Sequence, residues 1–185
     1  MKKIDWTHEN EASGANDRLP AGGYICKITN VEDNPQREYL KIEYEIVDGQ
    51  YKGWGEKTAG QGWWKLSFIR SYKPRARGFF KHFLAVLEKS NPGKFTVASF
   101  GADENVLRGL FLGLVVGYEE YEGNDGAVKE RLYVSDIVPG QDIRSGNFKV
   151  PEFRKLENPT TTAAEPKFDT TPTPAGHTPD DDLPF

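Results

Sequence analysis

Apolar and polar residues alternate in several segments of the chain with the period of two that is typical of β-strands. The clearest such segment covers residues 40–46, where lysine and glutamate separate the apolar residues of one face, namely Leu40, Ile42, Tyr44 and Ile46. Residues 24–29 alternate in the same way before it, and residues 63–72 after it. The pattern predicts three β-strands, each with one face towards a core.

The period changes between residues 75 and 90, where apolar residues recur at the three- and four-residue spacing of a helix. These residues are Phe79, Phe80, Phe83, Leu84 and Leu87, and an Asn-Pro-Gly sequence at 91–93 ends the helix. Two more strands are predicted over residues 110–121 and Val128–Val138, joined by an Asn-Asp-Gly turn at 124–126. A short turn or helix is expected within residues 102–107, and a further ordered stretch up to about residue 156.

The predicted order is therefore three strands, one helix and a two-stranded hairpin. The oligonucleotide-binding (OB) fold is a five-stranded, partly open barrel, and its usual helix lies between the third and fourth strands. We expect a mainly β, OB-fold-like five-stranded barrel over residues 20–156, preceded by an N-terminal arm over residues 1–19. A small α+β domain of another topology remains open, because one sequence does not reveal which strands are neighbours.

Charge is distributed unevenly along the chain. Residues 157–185 are rich in threonine, proline, alanine and charged residues, and they contain too few apolar residues to form a core, so we expect a disordered acidic C-terminal tail. The net charge of the whole chain is −4. Residues 51–94, however, contain ten lysines and arginines against two glutamates. We expect a polyanion to bind this central block.

The central block interleaves basic and aromatic residues, a combination that binds single-stranded nucleic acid through phosphate contacts and base stacking. The candidate single-stranded DNA-binding residues are Lys52, Trp54, Lys57, Trp63, Lys65, Arg70, Tyr72, Lys73, Arg75 and Arg77. Alternation assigns Trp63 to the surface together with Lys65, and Trp64 to the core. Trp54 is expected in a glycine-flanked loop. For any single tryptophan, the sequence leaves both base stacking and core packing open.

Acidic residues on the second strand argue against this site. Alternation places Glu43 and Glu45 on its solvent face, where they would repel phosphates. Cys26 is expected to fill the core, and three scattered histidines do not favour a metal site, so no catalytic residue, metal or cofactor is expected. A two-metal nuclease site is an alternative interpretation of the acidic residues around the hairpin, although a solvated turn explains them more simply: Glu119, Glu120, Glu122 and Asp125.

The final six residues of the sequence combine an acidic run with an apolar end. They are Asp180, Asp181, Asp182, Leu183, Pro184 and Phe185. An apolar pocket can receive the proline and phenylalanine while basic residues around it contact the carboxylates. This segment resembles the C-terminal tip of bacterial single-stranded DNA-binding proteins, and the resemblance implies that it binds replication, recombination and repair enzymes.

A second, looser resemblance covers most of the remaining chain. Residues 19–24 (LPAGGY), 39–44 (YLKIEY), 123–126 (GNDG) and 131–134 (RLYV) are similar to single-stranded DNA-binding proteins of bacteriophages and mobile elements of Gram-positive bacteria. The resemblance implies an OB-type barrel that coats single-stranded DNA during replication or recombination of the element. It implies a non-enzymatic protein in the cytoplasm of a bacterial host cell, and the absence of a long apolar segment agrees with that location.

A different function is also compatible with these features. The protein could be an interaction module whose tip imitates the host peptide and sequesters host repair and replication enzymes, without DNA binding by its body. The sequence does not decide between the two, and it leaves open whether the protein forms homo-oligomers.

Overall fold

One antiparallel β-sheet of five strands dominates the structure, a computed structural model that describes residues 18–59, 65–101 and 103–156. The strands are β1 (Gly22–Asn34), β2 (Tyr39–Ile46), β3 (Ser67–Ser71), β4 (Phe111–Glu122) and β5 (Val128–Val138). The helices are α1 (Trp54–Ala59), α2 (Arg77–Ser90) and α3 (Gly140–Ser145), with 3₁₀ turns at Pro74–Ala76, Val97–Ser99 and Glu104–Leu107. The chain is therefore mainly β, with a long helix after the third strand, as the sequence predicts.

The strands are arranged in the order β3-β2-β1-β4-β5. Strand β1 is central because it pairs with β2 along most of its length and with β4 through Gly22 to Lys27. A register shift between Ile28 and Asn30 interrupts its pairing with β2. This arrangement is consistent with an OB-like fold, but within the described residues no ladder joins β3 to β5, and the sheet is not closed into a barrel.

Most predicted elements occur close to their expected positions. The β5 strand has the predicted bounds, α2 begins two residues late, and the 124–126 turn is formed with Gly126 at a φ of 73°. The third strand is shorter than predicted, and Trp63 and Trp64 lie outside the described residues. The α1 helix was not predicted, because two glycines around Trp54 indicated a loop.

The core lies between the concave face of the sheet and α2. It includes the alternating apolar residues of β2, together with Phe83 and Leu87 of α2, which have no exposed surface. Each such side chain contributes about 1.5–3 kcal/mol by burial. Cys26 is fully buried, as expected, and burial raises the pKa of its thiol above the ordinary range.

Buried Asn91 joins the end of α2 to the start of β4. Its side-chain amide donates to the Leu87 and Phe111 carbonyl oxygens at 2.8 Å each, and its Oδ1 accepts from the Phe111 N–H at 2.9 Å. The side chain therefore satisfies both backbone groups of Phe111. This contact fixes α2, and the connection that precedes it, relative to the sheet.

Strand β4 is buried on both faces, because α3 covers the face that points away from α2. The covering helix approaches so closely that a Cβ at Gly113 would lie 2.5 Å from Ile143 Cγ1. A Cβ at Gly23 of β1 would lie 2.6 Å from Phe148 Cζ. Glycine at these two positions lets the segment after β5 pack directly on the sheet.

The two ends of the described chain, at Leu19 and Arg154, contact the part of β4 that does not pair with β1. The Arg154 N–H donates to the Tyr118 carbonyl oxygen at 3.1 Å, and the Arg154 carbonyl oxygen accepts from the Glu120 N–H at 2.9 Å. Leu19 is buried, and its carbonyl oxygen accepts from the Tyr118 hydroxyl at 2.8 Å. In the part of the chain that the structure describes, no helix is long and apolar enough to cross a membrane.

Candidate nucleic-acid interface

Eight of the ten predicted binding residues fall into two groups at opposite ends of β2. Lys52, Trp54 and Lys57 follow its C-terminal end, in and around α1. The second group lies where β3 leads into α2, next to the N-terminal end of β2, because Ser71 of β3 pairs with Tyr39. It comprises Arg70, Tyr72, Lys73, Arg75 and Arg77. An eight-residue antiparallel strand is about 24 Å long, so the two groups do not form one compact site.

Trp54 is not in a flexible loop, contrary to the sequence expectation. It opens α1, is half-buried, and packs against the core with its ring 5.6 Å from that of Tyr51 at 75°. Lys57 Nζ lies 5.8 Å from the Trp54 ring centroid. The indole is therefore partly covered by its own neighbours, which reduces the face available to a base.

The carboxylate of Glu45 explains why a helix forms at this point. Its Oε1 accepts from the Gly55 N–H at 2.9 Å and its Oε2 from the Glu56 N–H at 2.7 Å. These are amides of the first helical turn, which have no partner within the helix and which favour a nearby negative charge. Glu45 is thus a helix cap, not a freely solvated acid on the strand.

Glu43 also differs from the sequence expectation. It is only 7% exposed, and its two carboxylate oxygens lie 3.5 Å from Lys41 Nζ and 3.4 Å from Lys65 Nζ. The negative charge that was expected to repel phosphates is therefore balanced by two lysines. The same contacts mean that Lys65, a predicted DNA-binding residue, is already paired.

Arg70 belongs to the face of β3 that also carries Phe68. Its guanidinium carbon is 5.2 Å from the ring centroid of buried Phe68. Burial lowers the pKa of Arg70, and the carboxylate of Asp136 on β5 acts in the opposite direction. Arg70 therefore lies on the core side of the sheet and contributes little positive charge to the outer surface.

Tyr72 connects the end of β3 to the end of β1. Its hydroxyl donates to Asp33 Oδ1 at 2.8 Å, and its ring lies 6.1 Å from that of Phe80. Desolvation, together with the hydrogen bond to Asp33, raises the pKa of Tyr72. This contact places the β3–α2 connection beside the loop at 35–38 that joins β1 to β2.

The exposed cations of this connection are not neutralised by nearby acids. We call Lys73, Arg75, Arg77 and Lys81 the basic strip. No residue from 70 to 81 is acidic, and no ion pair involves the strip within the described ranges. Arg77 donates only to the Tyr72 carbonyl oxygen, at 3.4 Å. Elsewhere, by contrast, Lys129, Arg131 and Arg144 each pair with a carboxylate, at 2.7, 2.7 and 3.6 Å.

Phe79 lies within the basic strip, and the sequence prediction for it was wrong. It was assigned to the apolar face of the helix, but it is 75% exposed. Val86, seven residues later and on the same side of α2, is 2% exposed. This side of α2 is therefore covered in the middle of the helix and uncovered at Phe79, whereas Phe80 beside it packs against the core. The surrounding cations and Gly78 were the sequence signals that Phe79 lies on the surface.

Three of the four acidic residues in the nuclease alternative contact other groups. Glu119 lies 2.7 Å from Arg131 Nη2 and 3.8 Å from Arg154 Nη1, Asp125 pairs with Lys129, and Glu120 accepts from the Leu156 N–H. In the described ranges, no group of three or more histidine, cysteine or acidic residues could hold a metal ion.

Several parts of the sequence prediction lie outside the described residues. These are residues 1–17 of the predicted arm, Trp63 and Trp64, and the predicted tail over 157–185 with its acidic segment from Asp180 to Phe185. No protein-family model matches the chain, and no curated protein matches it in sequence.

Proposed function

We propose that this protein binds single-stranded DNA without catalysing a reaction, and that its OB-like body coats the strand during replication or recombination of a phage or mobile element. The observation that carries the proposal is the basic strip, which holds four exposed cations without an ion-pair partner among the described residues. Such cations are available to neutralise phosphates, whereas Lys41 and Lys65 must first leave Glu43.

The strand order supports a nucleic-acid ligand. OB-folds bind oligonucleotides on the face of strands 2 and 3 and at the loops between strands 1 and 2 and between strands 4 and 5. The hydrogen bond from Tyr72 to Asp33 places the start of the basic strip beside the first of these loops. The cations therefore lie at the border of the surface that OB-folds use for oligonucleotides. We also propose that the sheet closes into a barrel, as in other OB-folds.

The final six residues have a separate role in this proposal. Asp180 to Phe185 recruit replication, recombination and repair proteins of the host or the element, and the residues from 157 onward act as a tether. A flexible tether of about thirty residues has a root-mean-square length of roughly 30 Å, so a captured enzyme would stay close to the DNA that the body coats.

Fluorescence anisotropy of a labelled oligo-dT tests the proposal, with duplex DNA of equal length as the control and with two salt concentrations. We expect binding that prefers the single strand and weakens as salt rises, because the phosphate contacts release counterions. Equal affinity for duplex, or no binding at low salt, contradicts DNA coating by the body. In the second case, capture of host enzymes by the tip would be the remaining function.

A further inference from the structure

Phe79 is more exposed than the other large apolar side chains that reach the surface of the described structure. At 75% exposed it exceeds Ile69 at 54%, and Phe153 at 43% is the other phenylalanine of this group. Gly78 beside it has no atom within 4 Å of an added Cβ, so the space around the ring is open. An aromatic ring held in water on a rigid helix loses hydrophobic stabilisation that a ligand could restore.

The charge around Phe79 restricts which ligand fits. Arg75 precedes it by four residues, about one helical turn, whereas Arg77 and Lys81, two residues away in sequence, project from other sides of the helix and add to the positive charge of this end of α2. An apolar protein surface docked on this ring would remove these unpaired cations from water without supplying counter-charge. A single nucleic-acid strand supplies both an apolar contact for the ring and counter-charge for the cations, because its bases have planar apolar faces and its backbone carries negative charge.

We propose that Phe79 is a base-stacking residue, and that the basic strip holds the phosphates on either side of the stacked base. This inference rests on the proposed function and adds a residue and a contact to it. Trp54 is less suited to the role because Tyr51 and Lys57 lie close to its indole. The primary anchor of the strand is then the β3–α2 connection and not α1.

The test compares three full-length variants with the wild type by oligo-dT anisotropy. Phe79→Ala should lower affinity about 5- to 150-fold, the range expected for one lost base stack, and Phe79→Trp should keep it. Phe153→Ala is the matched control, since it removes the other exposed phenylalanine and should leave affinity unchanged. The salt slope of Phe79→Ala should equal that of the wild type, because stacking involves no phosphate.

A spectroscopic measurement distinguishes the loss of base stacking from the loss of any other contact made by the Phe79 side chain. An oligonucleotide with 2-aminopurine should change fluorescence when it stacks on the wild-type protein and on Phe79→Trp, but much less on Phe79→Leu, which keeps an apolar side chain without a ring. Phe79→Leu also replaces Phe79→Ala in the affinity measurement if the alanine variant does not fold. A Phe79→Leu protein with the affinity and fluorescence change of the wild type overturns the proposal.

The remaining outcomes distinguish this inference from the proposed function. Wild-type binding that Phe79→Ala does not weaken refutes stacking at Phe79 while DNA coating stands. No binding by the wild type refutes both. Tighter DNA binding by Phe79→Ala also overturns the inference, because it indicates that the ring holds the acidic segment Asp180 to Phe185, whose removal would free the strip.

Discussion

Replacing Lys73, Arg75 and Arg77 together by alanine should change the salt dependence of DNA binding by a predictable amount. Each phosphate contact on a single strand contributes about 0.7 to the slope of log affinity against log salt concentration, so about five contacts give a slope of roughly −3 to −4. The three residues are exposed and have no ion-pair partner among the described residues. Their loss should therefore reduce the slope by about 2.

The assay is oligo-dT anisotropy at several salt concentrations between about 50 and 200 mM. Over this fourfold range, a slope smaller by about 2 means that the affinity of the variant falls roughly 16-fold less than that of the wild type. The matched control removes the same charge from arginines that already have carboxylate partners, in the variant Arg131→Ala/Arg144→Ala/Arg154→Ala. Its slope should change by less than about 1. Equal changes in both variants would refute the reasoning, because net charge and not the basic strip would then set the affinity.

Three further predictions concern stability and the tip. Raising the pH from about 8.5 to about 10 should lower the free energy of unfolding, measured with urea. Burial raises the pKa of Cys26 above the ordinary range and that of Tyr24 to about 12, so the unfolded chain loses these protons first. A Cys26→Ala protein should lose less stability between pH 8.5 and 10, and an equally steep fall would contradict the assignment. Asn91→Ala should cost about 1–3 kcal/mol in the same assay, because the buried amide and both part-buried backbone groups of Phe111 lose their hydrogen bonds, whereas exposed Asn105→Ala should cost under about 0.5 kcal/mol. Deleting residues 180–185 should abolish capture of partner enzymes in pull-downs and raise oligo-dT affinity slightly, since the acidic segment competes for the cations; weaker DNA binding would contradict that competition.

The sequence predicts the strand and helix order well, because period and turn chemistry are local properties. The apolar residues of β2 are buried as their alternation requires, from Leu40 at 4% to Ile42 at 0% exposed. The 124–126 turn and the bounds of β5 follow from residues with strong conformational preferences. These features need no knowledge of distant contacts.

The errors occur where a distant part of the chain decides the environment. Glu43 is paired with Lys65, which comes 22 residues later and just before β3, and α1 forms where Glu45, ten residues earlier, accepts from its first amides. Phe79 has a helical apolar spacing but extends past the end of the covered face. Alternation and helical period assign a residue to a side of its element, but they do not show how far the opposing surface extends.

The same limit applies to the candidate site. Composition correctly indicates a basic and aromatic block, but it does not separate cations that are paired from those that are available. Lys65 and Lys73 are equivalent in the sequence argument, although only Lys65 has a carboxylate within 4 Å in the described structure. Arg70 was grouped with the surface cations, yet it lies over Phe68 on the core side.

Glu43 acts towards Lys41 and Lys65 as a counterion that is covalently part of the protein. A phosphate that binds these lysines would take them from an internal carboxylate that is only 7% exposed, which lowers the affinity gained from the contact. The contact would still release cations that are condensed on the DNA, so it would still appear in a salt titration. Contacts on this face should therefore add more to the salt slope than to the affinity.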